Sequence, residues 1–409
     1  MNVQANQTEF PGDNQNVPWY RNGQFILIFI IAFLVYSSSN MLSLTLPKFA
    51  SEMGATSQMV GTLAGIFATC ALLMRPISGQ VVDNEDKKIT LRICLLVLLV
   101  SVFGLTLSTN YYMLLIFRGL NGLAWGIGST LCMTIATSCF SSSNMAAGIG
   151  IYGLGQSLAQ TIAPMFALPI AGTIGYNGLY WVNVCLMVMC LLLTFLMKFP
   201  AREKHERHYS LNIRKMICFP AFLPAAMTMC NSIAKSSITA FLVIYTGTMG
   251  IENIGLYFSV QAAVIFISRP LVSKLADTVG TMKILIPCEM LTIAGLILIS
   301  RSQSIGGFIL AAVIMGIAVG GEQPILMGEC VKSVPPAQRG SASNTSYIGT
   351  DLGNIIGSNF AGFLVASVGY SFMYMSYTLP VLICTIIYVI LYSRKLKTIP
   401  IGDLNAEPD

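Results

Sequence analysis

Arg75-Pro76-Ile77-Ser78-Gly79-Gln80-Val81-Val82-Asp83 is followed, 194 residues later, by Arg269-Pro270-Leu271-Val272-Ser273-Lys274-Leu275-Ala276-Asp277, and the two segments share the Arg-Pro pair and the final aspartate. The same offset relates further pairs: Gly61 and Gly255, Gly122 and Gly316, Gly126 and Gly320, Gly155 and Gly349, Gly175-Tyr176 and Gly369-Tyr370, and Tyr180 and Tyr374. One constant offset across five apolar segments is hard to obtain by chance, and a repeat of this kind dominates the choice of fold. The sequence therefore predicts two similar halves.

The composition predicts a polytopic membrane protein. Of 409 residues, 55% are hydrophobic and only 10% are charged, whereas soluble domains carry about 25% charged residues. Spans of about 20 apolar residues cross a bilayer as helices, and the alternation expected of barrel strands is absent. We predict an all-α fold of twelve transmembrane helices at about 25–47, 59–80, 91–109, 111–137, 146–171, 178–199, 218–246, 253–275, 283–301, 305–331, 341–367 and 371–394.

The predicted division follows the charged segments. A tail at 1–24 precedes a six-helix half at 25–199, a charged linker at 200–217 leads to a second half at 218–394, and 395–409 form another tail. We count 19 of the 23 Lys and Arg residues in segments that alternate to one side of the membrane. Such loops stay in the cytoplasm. Both termini are therefore predicted to lie in the cytoplasm of a bacterium, with the chain in the inner (plasma) membrane, and the net charge of +6 reflects topology rather than nucleic-acid binding.

Several classes of chemistry have no pattern in this chain. The eleven cysteines are scattered singly, so we expect buried thiols rather than disulfides or metal ligands. His205 and His208 stand in a charged loop, which is more typical of a solvated surface than of a metal site. No nucleotide-binding loop or catalytic triad spacing is present. We predict no cofactor, no metal and no enzymatic activity.

Three motifs resemble those of the major facilitator superfamily. Gly79, Asp83, Lys87 and Lys88 match its loop motif after the second helix, and Asp277 lies in a fainter second copy. Leu114-x-x-x-Arg118-x-x-Asn121-Gly122 resembles its fourth-helix motif, and the small-residue stripe from Gly155 to Ala171 is similar to its antiporter motif, with alanines replacing glycines. The resemblance covers about 25–394 and is closest to the bacterial drug:proton antiporter branch. It implies a cytoplasmic gate formed by Arg75, Gly79, Asp83, Lys87, Lys88, Arg269 and Asp277; an ordinary solvated loop is the alternative.

Ionisable residues inside the apolar runs are the candidates for coupling. Charge within a span is costly and faces a partner or a wet cavity. Helical phase places Asp351 opposite the Gly349–Gly353 stripe, which predicts that it faces the interior of its own half. Asp351 and Glu322 are the predicted proton carriers, with Lys235 as the residue that releases the proton. A static ion pair of Lys235 with either acid is the alternative.

A substrate cavity is predicted from polar and aromatic residues at depth. Arg118 is expected to face this cavity, with snorkelling to the headgroups as the alternative. The other predicted lining residues are Trp125, Asn40, Gln156, Gln160, Gln261 and Asn354. In apolar helices such groups need hydrogen-bond partners, supplied by each other or by a ligand.

The predicted function is secondary active transport by alternating access: export of a small amphipathic molecule, with protons as the coupling ion and the bilayer as surroundings. The resemblance implies that the chain works as a monomer. Two alternatives stay open. One is a proton-coupled importer of an anionic metabolite, in which Arg118 and Lys235 are counter-charges. The other is a non-transporting membrane receptor or scaffold.

Overall fold

The computed structural model describes residues 22–140, 145–198, 218–251, 253–334 and 339–398. These residues form eleven α-helices and one short 3-10 turn, Phe219–Ala221. The helices are α1 Gly23–Glu52, α2 Ser57–Asn84, α3 Lys87–Thr106, α4 Tyr111–Ser138, α5 Met145–Leu196, α6 Phe222–Thr248, α7 Gly255–Val279, α8 Thr281–Arg301, α9 Ile305–Lys332, α10 Arg339–Ser376 and α11 Thr378–Thr398. The predicted linker at 200–217, most of the two predicted tails, and His205 and His208 lie outside the described residues.

Glycines fold the two longest helices into pairs of spans. α5 has 52 residues and turns at Gly175, whose φ is 75° and ψ is 169°. α10 turns at Gly369, with φ 83° and ψ 171°, and these are backbone conformations that glycine adopts far more readily than other residues. The second arm of α10 continues into α11 with one interruption at Tyr377. Each of the twelve predicted apolar runs therefore has a helical segment.

Helix starts are specified by local capping residues, since the first amides of a helix lack partners within it. The side chain of Asn22 accepts hydrogen bonds from the amides of Gln24 and Phe25, and Asp86 accepts from Lys88 and Ile89. Asp86 therefore ends the loop that follows α2 and begins α3. The other capping side chains are Thr56 of α2, Asn110 of α4 and Ser304 of α9.

Membrane character follows from length and apolar composition. Nine segments of the described residues are long and apolar enough to cross a bilayer, and two of these, Ile151–Leu196 and Ser341–Tyr392, have 46 and 52 residues and fold back at their glycines. α4, which carries Arg118 and Asn121 in its middle, is not among the nine. The prediction of an all-α membrane fold is confirmed for the part of the chain that the structure describes.

Close helix packing occurs mainly within each half. Gly353 of α10 lies against the carbonyl of Met229 in α6, and Gly349 lies against Ala225. Gly155 of α5 lies against Phe29 of α1. The small-residue stripes of α5 and α10 therefore join helices of the same half.

The two ends of the bundle are distinguished by contacts between helix ends. The terminal face carries the start of α1 and the end of α4, where Asn22 donates to the carbonyl of Cys139 at 2.9 Å. The far face lies at the other end of these helices, where the Tyr111 hydroxyl donates to the carbonyl of Met59 at 2.8 Å. The charge distribution predicts that the terminal face is cytoplasmic.

Candidate functional site

A cavity of about 280 Å³ lies between the halves. Helices α1, α2, α4 and α5 line it from the N-terminal half, and α6, α9 and α10 line it from the C-terminal half. It gathers residues that are far apart in the chain. Among the predicted site residues, those in its wall are Asn40, Arg75, Arg118, Trp125, Gln160, Lys235, Glu322, Asp351 and Asn354.

The far side of the cavity is closed by close packing between halves. Gly61 of α2 lies so near the carbonyl of Ser358 in α10 that a Cβ there would overlap it, and Gly362 lies against the carbonyl of Ser57. A Cβ added to Gly255 of α7 would lie at ordinary van der Waals distance from Leu168 of α5. On the terminal side, the described parts of α4 and α10 make no comparable contact. The described residues thus pack the two halves closely at the far face of the cavity.

An ion pair joins the halves at the cavity wall. Arg75 Nε donates to Asp351 Oδ2 at 3.0 Å, and their side chains are 9% and 11% exposed. The guanidinium also lies 5.3 Å from the ring centre of Tyr347. Asp351 therefore faces the opposite half, and the prediction that it faces the interior of its own half is wrong. The reason is that its glycine stripe packs on α6, so the opposite face of α10 meets α2.

Arg118 is held by uncharged groups. Its Nη2 donates to Ser43 Oγ at 2.6 Å and its Nη1 to Asn121 Oδ1 at 3.2 Å. Its guanidinium carbon lies 4.1 Å from the ring centre of Phe67, a cation–π geometry that partly offsets the loss of water. No carboxylate lies within 4.0 Å of Arg118 among the described side chains. A buried cation without an acid partner, in a cavity wall, is suited to hold an anionic group.

Lys235 and Glu322 face the cavity without a close ion pair. Glu322 is 6% exposed, and its Oε2 accepts a hydrogen bond from Thr292 Oγ1 at 2.9 Å. Lys235 is exposed to the cavity although it lies midway along α6. Neither of the alternative static pairs, Asp351–Lys235 or Glu322–Lys235, is present within 4.0 Å among the described side chains. Both groups are therefore free to respond to water or to a ligand in the cavity.

Two predicted cavity residues lie outside the lining. Gln156 is one layer behind it, where its Nε2 donates to the Tyr36 hydroxyl at 2.7 Å. Gln261 is not in the cavity wall, so the prediction for it is wrong. Its helix α7 packs on α9, and the carbonyl of Gln261 approaches Gly316. Helix depth alone did not reveal which neighbour that face would meet.

Aromatic residues that the sequence analysis missed shape the cavity. Tyr36 meets Trp125 edge to face, with ring centres 4.5 Å apart, and Phe67 lies between Trp125 and Arg118. Tyr36 is one helical turn before Asn40 on α1, so its position on the same face was a usable signal. The cavity thus combines aromatic surface with charge.

The predicted gate residues are only partly described. Lys87 and Lys88 begin α3, and Arg75 is in the ion pair. The surroundings of Gly79 and the side chains of Asp83 and Asp277 lie outside the described set. Arg269, the counterpart of Arg75, has no carboxylate within 4.0 Å among the described side chains. The described residues also hold no cluster of three or more potential metal ligands.

Sequence comparisons relate this chain to transport proteins. The sequence profile of the Major Facilitator Superfamily matches residues 28–252 and 224–402. The chain is similar to the Staphylopine export protein of Staphylococcus aureus, with 20% identity over 369 residues, 86% of this chain and 91% of that protein. It is also similar to the Multidrug resistance protein MdtG of Escherichia fergusonii, with 23% identity over 397 residues, 92% of this chain and 94% of that protein.

Solved structures show the same fold. A bacterial homolog of the human lysosomal transporter Spinster, in an inward-facing and occupied conformation, gives a TM-score of 0.73 at 15% identity and covers 93% of this chain and 98% of that one. The nucleoside transporter NupG gives 0.71 at 13% identity and covers 90% and 99%.

Proposed function

The chain belongs to the Major Facilitator Superfamily, and from that premise we propose that it exports small amphipathic molecules in exchange for protons. It is a multi-pass membrane transporter of a small-molecule substrate and not an enzyme. Export is supported by the similarity to an exporter and to a multidrug resistance protein. The family assignment removes support from the receptor or scaffold alternative.

The cavity between the halves is the proposed substrate site. Its volume of about 280 Å³ is near the lower end of ligand pockets, which span roughly 300–1,000 Å³. Tyr36, Phe67 and Trp125 offer apolar surface, while Gln160 and Asn354 offer hydrogen bonds. An amphipathic molecule of metabolite size fits this combination.

The Arg75–Asp351 pair is the observation that carries the proposal of proton coupling. Its two members belong to opposite halves, so parting the halves at this point separates the carboxylate from its counter-charge. A carboxylate that loses its cation in a poorly solvated place gains affinity for a proton. Alternating access then couples to protonation of Asp351, and Glu322, opposite Lys235 in the same cavity, is the second proposed carrier.

Transport into everted vesicles tests the proposal. With the lumen acidified, an exporter that exchanges protons accumulates ethidium, an amphipathic cation, inside the vesicles, and collapse of the gradient reverses the accumulation. We expect accumulation with the wild type and none with the Asp351→Asn/Glu322→Gln variant at equal expression. Gradient-driven accumulation by that double variant would contradict the coupling mechanism.

Import of an anionic metabolite is the second candidate. Three cations, Arg75, Arg118 and Lys235, line the cavity against two acids, Glu322 and Asp351. This excess of positive charge favours an anion. An importer driven by protons would release preloaded carboxyfluorescein from the acidic lumen of everted vesicles, whereas an exporter would accumulate it. Arg118→Gln should weaken either movement of this anion more than that of ethidium.

We also propose the orientation and the unit of function. Both termini lie in the cytoplasm of a bacterial inner membrane, each six-helix half moves as one body, and a monomer suffices. The charged segments around Arg75 and Arg269 would then gate the cytoplasmic side. A fluorescent-protein fusion after Asp409 should fold and fluoresce in the cytoplasm, whereas a fusion after Asn110 should not.

A further inference from the structure

A third buried carboxyl lies behind the cavity wall. Glu289 of α8 is 0% exposed, and its Oε1 accepts a hydrogen bond from Asn231 Nδ2 of α6 at 2.9 Å. The charge distribution of the sequence favours a structural ion pair for Glu289 near the terminal face, but no cation lies within 4.0 Å of it among the described side chains. An ionised carboxylate buried without a counter-ion is strongly disfavoured.

Two unsatisfied atoms point to a proton at this place. Glu289 Oε2 and Asn231 Oδ1 are both buried and have no hydrogen-bond partner among the described residues. Both are acceptors when Glu289 is ionised, so neither can satisfy the other. A proton on Oε2 turns it into a donor, and a carboxylic acid can then pair with an amide through two hydrogen bonds. Protonated Glu289 therefore satisfies its site better than the carboxylate does.

The site is connected to the cavity. Asn231 is in the cavity wall, and one helical turn beyond Glu289 on α8, Thr292 donates to Glu322. Glu289 and Thr292 thus share a face of α8 that meets α6 and α9. Asn231 and Thr292 place Glu289 close behind the proposed proton carrier Glu322.

The groups that face Glu289 supply no positive charge. The titratable groups that interact electrostatically with it are Cys230 of α6, Cys288 of α8, Cys384 and Tyr388 of α11, and Glu322 of α9. Among the described side chains, no ionisable group of α7 or α10 acts on it. Two carboxyls in such a site do not both ionise, because the charges repel in a poorly solvated interior.

We propose that Glu289 is a third proton-binding site, behind Asp351 and Glu322, and that it exchanges its proton with Glu322. In the exchange, the O–H bond of Glu289 breaks and an O–H bond forms on Glu322, so one proton moves and total charge is unchanged. The carboxylate left on Glu289 keeps the N–H donor of Asn231. This inference rests on the proposed proton coupling and extends it from the cavity wall to the layer behind.

The test compares Glu289→Gln with the wild type. Glutamine reproduces both hydrogen bonds of the protonated acid to Asn231 but carries no exchangeable carboxyl proton, so folding and thermal unfolding should be unchanged. Infrared difference spectra of the purified full chain across a pH titration should lose the signal of one titrating carboxyl in Glu289→Gln. Proton release after a pH jump, followed with a soluble dye, should fall by one per protein.

A permanently neutral, merely structural Glu289 would give unchanged spectra and an unchanged proton count in Glu289→Gln, and that result overturns the inference. If Glu289→Gln unfolds, Asn231→Leu provides the second test, because removing the amide should shift the titration of the Glu289 signal while a structural role predicts no titrating signal to shift. Absence of gradient-driven ethidium movement in the wild type would instead overturn the proposed function, and the carboxyl titration distinguishes the two failures.

Discussion

The N-terminal half, α1–α5, and the C-terminal half, α6–α11, turn at corresponding glycines. Gly175 and Gly369 have φ of 75° and 83°, and the tyrosines that follow at the same spacing, Tyr180 and Tyr374, are both 0% exposed. The two stripes of small residues also serve the same purpose, since each joins two helices of its own half. These shared features all concern packing and chain reversal.

Five ionisable side chains at or behind the cavity wall break this correspondence, although Arg75 keeps its counterpart Arg269. By the 194-residue offset, Lys235, Glu289, Glu322 and Asp351 correspond to Met41, Leu95, Gly128 and Ser157, and Arg118 corresponds to Ala312. The N-terminal half thus brings Arg75 and Arg118 to the cavity, while the C-terminal half brings Lys235 and both acids. Burying each charge costs free energy, so these side chains are not explained by packing. The two halves therefore share the residues that pack the helices and differ in the residues available for binding and proton transfer.

The largest effect is expected from Asp351→Asn. Removing one partner of a buried ion pair costs about 3–5 kcal/mol, and Arg75 has no other acid within 4.0 Å among the described side chains. We expect gradient-driven ethidium uptake into everted vesicles to fall by roughly 100-fold or more, because asparagine cannot carry the proton whose binding at this position is proposed to drive the exchange. Ser157→Asn, at the corresponding position of the other half, is the control and should retain activity. Equal activities of the two variants would show that the asymmetry has no functional role.

An intermediate effect is expected at the far-face contacts. A Cβ on Gly61 would overlap the carbonyl of Ser358, whereas a Cβ on Gly255 would lie 3.5 Å from Leu168. Overpacking costs about 1–3 kcal/mol, so Gly61→Ala should favour separation of the halves at the far face, and Gly255→Ala should not. In each background, labelling of Ser43→Cys by an impermeant maleimide from the far side measures this opening. Similar labelling rates in both would contradict the proposed closed side.

The smallest effect is expected from Ser157→Asp, which restores charge symmetry. The corresponding cation, Arg269, has no acid within 4.0 Å among the described side chains, and α5 packs on α7 as α10 packs on α2. A new ion pair between Arg269 and the introduced carboxylate should stabilise the fold by about 1 kcal/mol or less. Thermal unfolding in detergent measures the change, with Ser157→Asn as the uncharged control. A lower melting temperature for the aspartate variant than for the asparagine variant would mean that the arginine cannot reach the new carboxylate.

The fold could be predicted because its determinants are local or periodic. Apolar runs fix the helices, and the offset between copies fixes the two halves. The single-residue turns could not be predicted in this way. Gly175-Tyr176 is part of the repeat, but the residues on both sides of Gly175 are helical, so no break in the apolar pattern marks the turn. The position where a helix turns depends on the φ and ψ of one residue, and hydropathy carries no information about backbone angles.

The site was less predictable because it depends on which helices become neighbours. Helical phase correctly separates Asp351 from Gly349 and Gly353, but it does not say that the glycines meet α6 and the aspartate meets α2. Gln261 fails for the same reason. The sequence does not indicate that Glu289 lacks a cationic partner. Its distance from the described cations is set only when α6, α8 and α9 pack together.

The glycine corners have a mechanical consequence. A single glycine separates the two helical arms of α5, and a single glycine separates the first arm of α10 from the segment that follows. Neither turn has a flexible loop that could absorb a displacement of one arm. The arm before each glycine borders the cavity. When that arm tilts, the arm after the glycine must tilt with it, because the single connecting residue cannot lengthen. Each glycine turn therefore couples the cavity wall mechanically to the helix segment that follows it. The thickness and tension of the surrounding bilayer should then oppose or favour each conformational change of the transporter.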